Sequence, residues 1–438
     1  MRVLGIGKGN DLADIYLRLQ SAGHEVRVFV DDPESRDIFR GMLTLTGDWQ
    51  TELPWIRESG FILFEGIGWG ETQDRLRKEG YRVIGGSALG DRLETDRAFG
   101  QEVLRNIGLL TAASHEFDDF DAAIDFVSRT RARYVLKFSG QGFASTRNYV
   151  GEMENGNDVI AVLRLQRDRW KYDERPNFIL MEHISGVEIG VGAFFNGREF
   201  LSPPNLDWEH KRFFPQNLGE LTGEMGTLLT YRGGEPLFNR TLGRLAPLLA
   251  ESGYVGYINL NTIVNERGIF PLELTCRFGY PGFAILDEMH VGGWTAVFER
   301  LLNGAKEIET FDGYAICVVL TVPTFPYYHG YESLSKGAPI LFRDSLTDAD
   351  REHLHYAEVA MEGEQLVTAG SVGYVMVVTG CGATVEAARD DAYERARKVV
   401  IPNVRYRTDI GEQFILRDRA TLDGLGVVKL GSHPETTT

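Results

Sequence analysis

The chain has 438 residues, too many for one ordinary hydrophobic core, so its length predicts two to four subdomains. Hydrophobic residues make up 43% and charged residues 25%, a globular composition; the formal charge of −17 argues against broad phosphate-backbone binding but leaves room for a local basic pocket. No run of eighteen apolar residues occurs, and the opening MRVLGIGKGNDL turns to glycine too early for a secretory signal, so a cytoplasmic protein without membrane contact is expected.

Cys276, Cys317 and Cys381 are widely spaced and no CxxC or HExxH pair accompanies them, which argues against a disulfide framework and a structural zinc site. Cys276 reads as a small buried thiol rather than a nucleophile.

The first ninety residues alternate short apolar runs (RVLGIG, HEVRVFV, FILFEGIG, YRVIGG) with helical patterns (LADIYLRLQSAG, TQDRLRKEG). That βαβ grammar predicts a parallel sheet covered by helices. Its first turn, GIGKGN, sits where such sheets bind phosphates or nucleotides, but Leu12 replaces the final glycine of GxGxxG, and a tight packing turn explains it equally well. A dinucleotide-dependent oxidoreductase would rest on this turn alone, with Asp31 and Asp32 as the only candidate acids after the second strand.

From Glu94 a helical segment leads to ARYVLKFSGQGFASTRNYV, a strand, a Gly/Ser-rich loop and a second strand. NFILMEHISGVEIGVGAFFNG reads as two strands around a polar joint, NLDWEHKRFFPQNLGELTGEMGT as a long polar insert, and TLGRLAPLLAESG as a helix before VGYINLNTIV and PLELTCRFGYPG. Two α+β lobes closing on a ligand are expected. In the last segment Glu273, Thr275 and Arg277 are spaced by two, so a pleated strand would point them to one side. After Phe311 come β-rich stretches (YAICVVLTVPTFP, LHYAEVAM, GYVMVVTG), a helix TVEAARDDAYERARKVV and RYRTDIGEQF, which read as a small α+β domain; HPETTT reads as disordered.

The arrangement of these segments resembles the ATP-grasp superfamily and, within it, the phosphoribosylamine–glycine ligase (glycinamide ribonucleotide synthetase) family, in the right order from about residue 1 to 415. LETDRAF resembles the family's LEGSKAF, with Arg97 at the lysine. LMEHISGVE resembles its adenine hinge and ribose acid, which implies backbone contacts from Glu182 and Ile184 and ribose binding by Glu188. EHKR through TGEMG resembles its DHKR-to-NTGGMG stretch, and LELTCRFGYPG its acid–x–Asn–x–Arg–Phe–Gly–Asp–Pro–Glu element. The terminal RYRTDIG resembles the family's YRxDIG, placing Tyr406, Arg407, Asp409 and Gly411 in fold or pocket support.

The resemblance implies an N-terminal βαβ domain (1–95) like that of biotin carboxylase, a two-lobed ATP-grasp domain (96–310, lobes about 110–185 and 186–310), a C-terminal α+β domain (311–415) and a tail (416–438). It implies an ATP- and magnesium-dependent ligase, with manganese as an alternative ion, that forms an amide through an acyl phosphate. Glycine and phosphoribosylamine are the default substrates, as in purine biosynthesis, and the protein would be a monomer or homodimer without broad nucleic-acid binding. Lys137 and Arg277 would be catalytic. Arg97, Lys137, Ser139, Ser145, Thr146, Arg147, Glu182, Ile184 and Glu188 would bind ATP. Glu273 and Thr275 would hold metal, with Asn259 or Asn261 completing the shell, because hard oxygen ligands suit magnesium. Gly7, Gly9, Asn10, Glu209, Lys211, Arg212, Thr222 and Gly223 would bind the other substrates.

Departures from the family pattern fall on the rim of the site. Ser145 stands at the phosphate-loop lysine with Arg147 two residues on, KGNDL replaces GGREH, Tyr280, Pro281 and Gly282 replace DPE, Thr275 replaces the metal asparagine, and Leu221 and Glu224 replace an asparagine and a glycine. The arginine of a GGRVL stretch is missing near Val372. Two alternatives follow: a ligase re-targeted to another amino acid and amine, for example in nucleotide or DNA-base modification, and a catalytically silent nucleotide-binding regulator.

Overall fold

A computed structural model describes residues 1–57, 59–138, 148–171 and 175–431. The N-terminal sheet is parallel, in the order Glu25–Val30, Arg2–Gly7, Gly60–Phe64, Val83–Ile84. Every residue of Gly60–Phe64 is buried, as a strand covered on both faces must be.

A small lobe follows, with antiparallel strands in the order Ser114–Phe117, Phe178–Glu182, Tyr134–Phe138, Tyr149–Val150. Alternation decides its two faces. Tyr134, Leu136, Phe138, Phe178 and Leu180 pack with Phe120, Val127, Val159 and Leu163 of two covering helices, Phe120–Thr130 and Asn157–Arg169. Val135, Lys137, Ile179 and Met181 point the other way, into a cleft.

The opposite wall is an eight-stranded antiparallel sheet in the order Gly268–Thr275, Val255–Asn265, Val187–Asn196, Asn205–Glu209, Gly226–Thr230, Tyr314–Thr321, Tyr374–Gly382, Leu354–Tyr356. One face is the main core, carrying Ile189, Val191, Leu206, Trp208, Leu228, Ile258, Leu260, Leu274, Ile316 and Val318. The polar insert expected at 205–227 is therefore sheet: Leu206 and Trp208 fill the core while Asn205, Asp207 and Glu209 face the cleft, and burial of the polar side hides the alternation from a hydropathy reading.

The large sheet runs on across the expected start of the C-terminal domain at 311, since Gly226–Thr230 pairs with Tyr314–Thr321, Gly226 opposite Val318. Residues 416–431 are not a tail: Leu422, Val427, Val428 and Leu430 are buried in the main core. HPETTT lies outside the described residues. The helix expected from Glu94 is two, Ala88–Thr95 and Arg97–Asn106, parted at Asp96, whose carboxylate accepts from Phe99 N–H and caps the second. Among the described residues no helix is long and apolar enough to cross a membrane.

Candidate active site

Register across the large sheet builds the site. Glu273 lies opposite Asn261, Asn261 opposite Gly190, and Gly190 opposite Asp207. One row along, Thr275, Asn259, Gly192 and Asn205 follow each other in the same way. Glu209 sits opposite Thr227. The two glycines are required by this crowding: a Cβ on Gly190 would stand 2.0 Å from Asp207 Oδ1, and one on Gly192 1.9 Å from the Tyr257 hydroxyl.

At the centre, Lys211 Nζ is 3.1 Å from a carboxylate oxygen of each of Glu188, Glu209 and Glu273. Burial lowers the lysine pKa, but the three carboxylates outweigh it and hold Lys211 well above its ordinary value. Lys211 in turn, helped by Lys137 and Arg97, draws Glu273 down to about 2, so Glu273 stays ionised and 42% exposed to the cleft. Arg97 Nη2 is 3.9 Å from Glu273. Across the cleft, burial lowers the Lys137 ammonium to about 8.

Asn261 donates Nδ2 to Glu188 at 2.8 Å and to Glu209 at 3.4 Å, and it stands opposite Glu273 across the strand pair. Asn259 is turned elsewhere, donating to Asp207 Oδ2 at 2.7 Å. Glu273, Asn261 and Thr275 all line the cleft and offer oxygen donors of the kind that suits a hard divalent ion. Among the described residues no group of three His, Cys, Asp or Glu side chains has metal-holding geometry by itself.

The cleft between lobe and sheet has a volume of about 1750 Å³. Its small-lobe end is an apolar slot of Val135, Val150, Ile179 and Met181, edged by Glu182, His183 and Ile184. Glu182 N–H donates to Ala113 O at 2.8 Å, so only its carbonyl is left to meet a ligand. Thr222 and Gly223 line the cleft, and the Thr222 hydroxyl and N–H both donate to Lys211 O at 2.8 Å. Ser139, Ser145, Thr146 and Arg147 lie outside the described residues.

Arg277 reaches the cleft differently from the strand alternation expected. The strand ends at Thr275, and Arg277 is held beyond it by Glu94 of the Ala88–Thr95 helix, at 3.0 Å from Nε. The other Glu94 oxygen accepts from Cys276 N–H at 2.8 Å, and the Cys276 thiol is buried and raised well above its ordinary value, as a core thiol should be.

Four expected substrate residues do not line this cleft. Arg212 turns its guanidinium to Gly219 O at 2.7 Å. Asn10, at φ 61°, donates to Ile38 O at 3.0 Å, and Gly7 packs against the Glu65 carboxylate. Gly9 faces Asp11 instead. Arg407, 1% exposed, grips both Asp409 oxygens at 2.8 and 2.7 Å and donates to Arg212 O, so RYRTDIG clamps the C-terminal segment onto the hairpin at 212–221.

The sequence reading assigned no role to Asp207, Glu94 or Thr227, and noted Glu224 only as a replacement. The signal for Asp207 was present in NLDWEHK, where polar residues alternate with Leu206 and Trp208. Burial raises Asp207 to about 7, with the Glu209 charge adding, and raises Glu224 well above the ordinary carboxylate range. His210 is buried against Gly411 and lowered to about 4, first by burial and then by Arg407, so it is neutral at pH 7.

Residues 95–283 match the phosphoribosylglycinamide synthetase ATP-grasp (A) domain and residues 315–413 the C domain of the same enzyme. The chain is 27% identical over 361 residues to phosphoribosylamine–glycine ligase of Corynebacterium ammoniagenes, covering 77% of this chain and 78% of that protein. It is likewise 27% identical over 367 residues to the enzyme of that name from Rhizobium meliloti, covering 79% and 81%. The crystal structure of phosphoribosylamine–glycine ligase from Thermotoga maritima has the same fold, with TM-score 0.70, 22% identity and coverage of 94% and 100%. Biotin carboxylase from Campylobacter jejuni shares it at TM-score 0.60 and 13% identity, covering 97% and 98%.

Proposed function

We infer, from the premise that the chain belongs to the phosphoribosylglycinamide synthetase family, that it is an ATP-dependent carbon–nitrogen ligase, with glycine and phosphoribosylamine as the default substrates. The observation that carries this reading is the Lys211 cluster, one cation held by three carboxylates of three strands, in the same cleft as an apolar slot and Lys137.

A carboxylate does not react usefully with an amine, so the γ-phosphoryl group of ATP moves to a carboxylate oxygen, releasing ADP. The neutral amine then attacks the acyl carbon, phosphate leaves with the bonding electrons, and the nitrogen gives up its proton. Such a path needs positioning and charge neutralisation more than a protein nucleophile. The slot of Val135, Val150, Ile179 and Met181 takes the base, with the Glu182 carbonyl and Ile184 at its edge and Glu188 at the ribose. Lys137, Lys211 and Arg97 meet phosphate oxygens, and Arg277, fixed by Glu94, meets the transferred group. Glu273, Asn261 and Thr275 would hold magnesium, which when bound would neutralise the triphosphate charge.

The test is ADP and phosphate release from Mg·ATP with glycine and phosphoribosylamine generated in place, read beside product mass. One ADP per amide is expected, and Glu273→Gln lowers kcat/KM by about a hundredfold or more. Tight ATP binding with no ADP from any carboxylate–amine pair would leave the nucleotide-binding regulator as the better reading.

A further inference from the structure

We propose that the sheet end of the cleft seats an organic cation, an ammonium on a short aliphatic stem such as a basic amino acid or an alkyl diamine, against Asp207, Glu224 and Thr227. The role of that cation as a ligase substrate rests on the function proposed above; the binding itself does not.

Three polar atoms carry it. Asp207 Oδ1, Glu224 Oε1 and Thr227 Oγ1 have no hydrogen-bond partner among the described residues, and their residues are 5%, 6% and 2% exposed. All three residues line the cleft, from two neighbouring strands and the turn before the second. Native interiors seldom leave such atoms unsatisfied, because each costs roughly 1–3 kcal/mol. Asp207 cannot turn away to satisfy itself: Oδ2 already accepts from Asn205 at 2.9 Å and Asn259 at 2.7 Å, which fixes Oδ1 over Gly190.

No Lys or Arg of the described residues forms an ion pair with Asp207 or Glu224; Lys211, the nearby cation, is committed to Glu188, Glu209 and Glu273. A ligand ammonium fits the vacancy, because it donates up to three hydrogen bonds and carries the compensating charge. Around the acids, Leu229, Tyr257, Ile285 and Leu286 line the same cleft and suit an alkyl stem.

The experiment titrates the full chain calorimetrically with 1,4-diaminobutane, L-lysine, glycine and inorganic phosphate, with a non-hydrolysable ATP analogue bound. The diamine or lysine is expected to bind at least tenfold more tightly than glycine, and phosphate not at this site. Glu224→Gln and Asp207→Asn, checked for folding by circular dichroism, are each expected to weaken the cation at least tenfold and leave the ATP analogue unchanged. Absence of cation binding, or binding that both variants leave unaltered, overturns the proposal. Turnover is read separately. ADP release with glycine and phosphoribosylamine, unaffected by Glu224→Gln and without cation binding, removes the subsite and keeps the ligase; variant-sensitive cation binding without ADP release from any pair keeps the subsite and removes the ligase.

Discussion

The two ends of the cleft use the same kind of side chain, the buried or half-buried carboxylate, to opposite effect. At the nucleotide end, acids and bases are matched: Lys211 sits among Glu188, Glu209 and Glu273, and Lys137 and Arg97 add charge to the same group. At the far end, Asp207 and Glu224 are more deeply buried and keep oxygens without partners among the described residues. The first arrangement is preorganised, with charges fixed before a polyanion arrives. The second keeps unpaired buried oxygens among the described residues, and under the cation proposal above it is the end that selects the substrate. The departures from the family pattern at Glu224 and Tyr280 fall at this second end.

The sharpest way to break the contrast is Lys211→Met. It leaves three carboxylates together without their cation, and kcat/KM should fall by about a hundredfold or more, ~3 kcal/mol in the barrier. A result within twofold of wild type would show that the cluster is structural only. Gly190→Ala acts where the two ends meet, because the new Cβ would stand 2.0 Å from Asp207 Oδ1. It should cost about 1–3 kcal/mol of stability in urea unfolding and displace Asp207. Unchanged stability and unchanged cation binding would mean that the crowding argument is wrong.

A smaller effect is expected from pH. Lys137, lowered to about 8 by burial, is an ammonium below that pH and neutral above it. KM for ATP should therefore be flat below pH 8 and rise by up to about tenfold per unit above it, and Lys137→Arg should move the rise to higher pH. The smallest change is the control: Arg75→Ala removes an exposed pair with Glu79 on a surface helix and should alter stability by less than about 0.5 kcal/mol and neither end of the cleft.

Much of the site was legible along the chain because strand alternation is local. Glu273 and Thr275 face the cleft as their spacing required, Lys137 leaves a strand whose neighbours Leu136 and Phe138 enter the core, and the hinge lies where two strands meet. Asp207 was overlooked because a strand buried on both faces carries polar residues on the side that a hydropathy pattern assigns to solvent. Arg212, Gly7, Gly9 and Asn10 were assigned by motif position, whereas their orientation depends on partners far away in the chain, Gly219, Glu65, Asp11 and Ile38.

The sequence by itself determined the order of elements, the chemical types available and which residues share a strand face, since these follow from backbone periodicity and side-chain chemistry over a few residues. Only the tertiary structure decided that residues 226–230 and 314–321 belong to one sheet, that Glu94 fixes Arg277 and that Asn261 rather than Asn259 stands beside Glu273. It also decided which buried oxygens are left without partners among the described residues. Each of these depends on register and approach between segments distant in sequence, where a shift of one residue would turn every side chain to the other face.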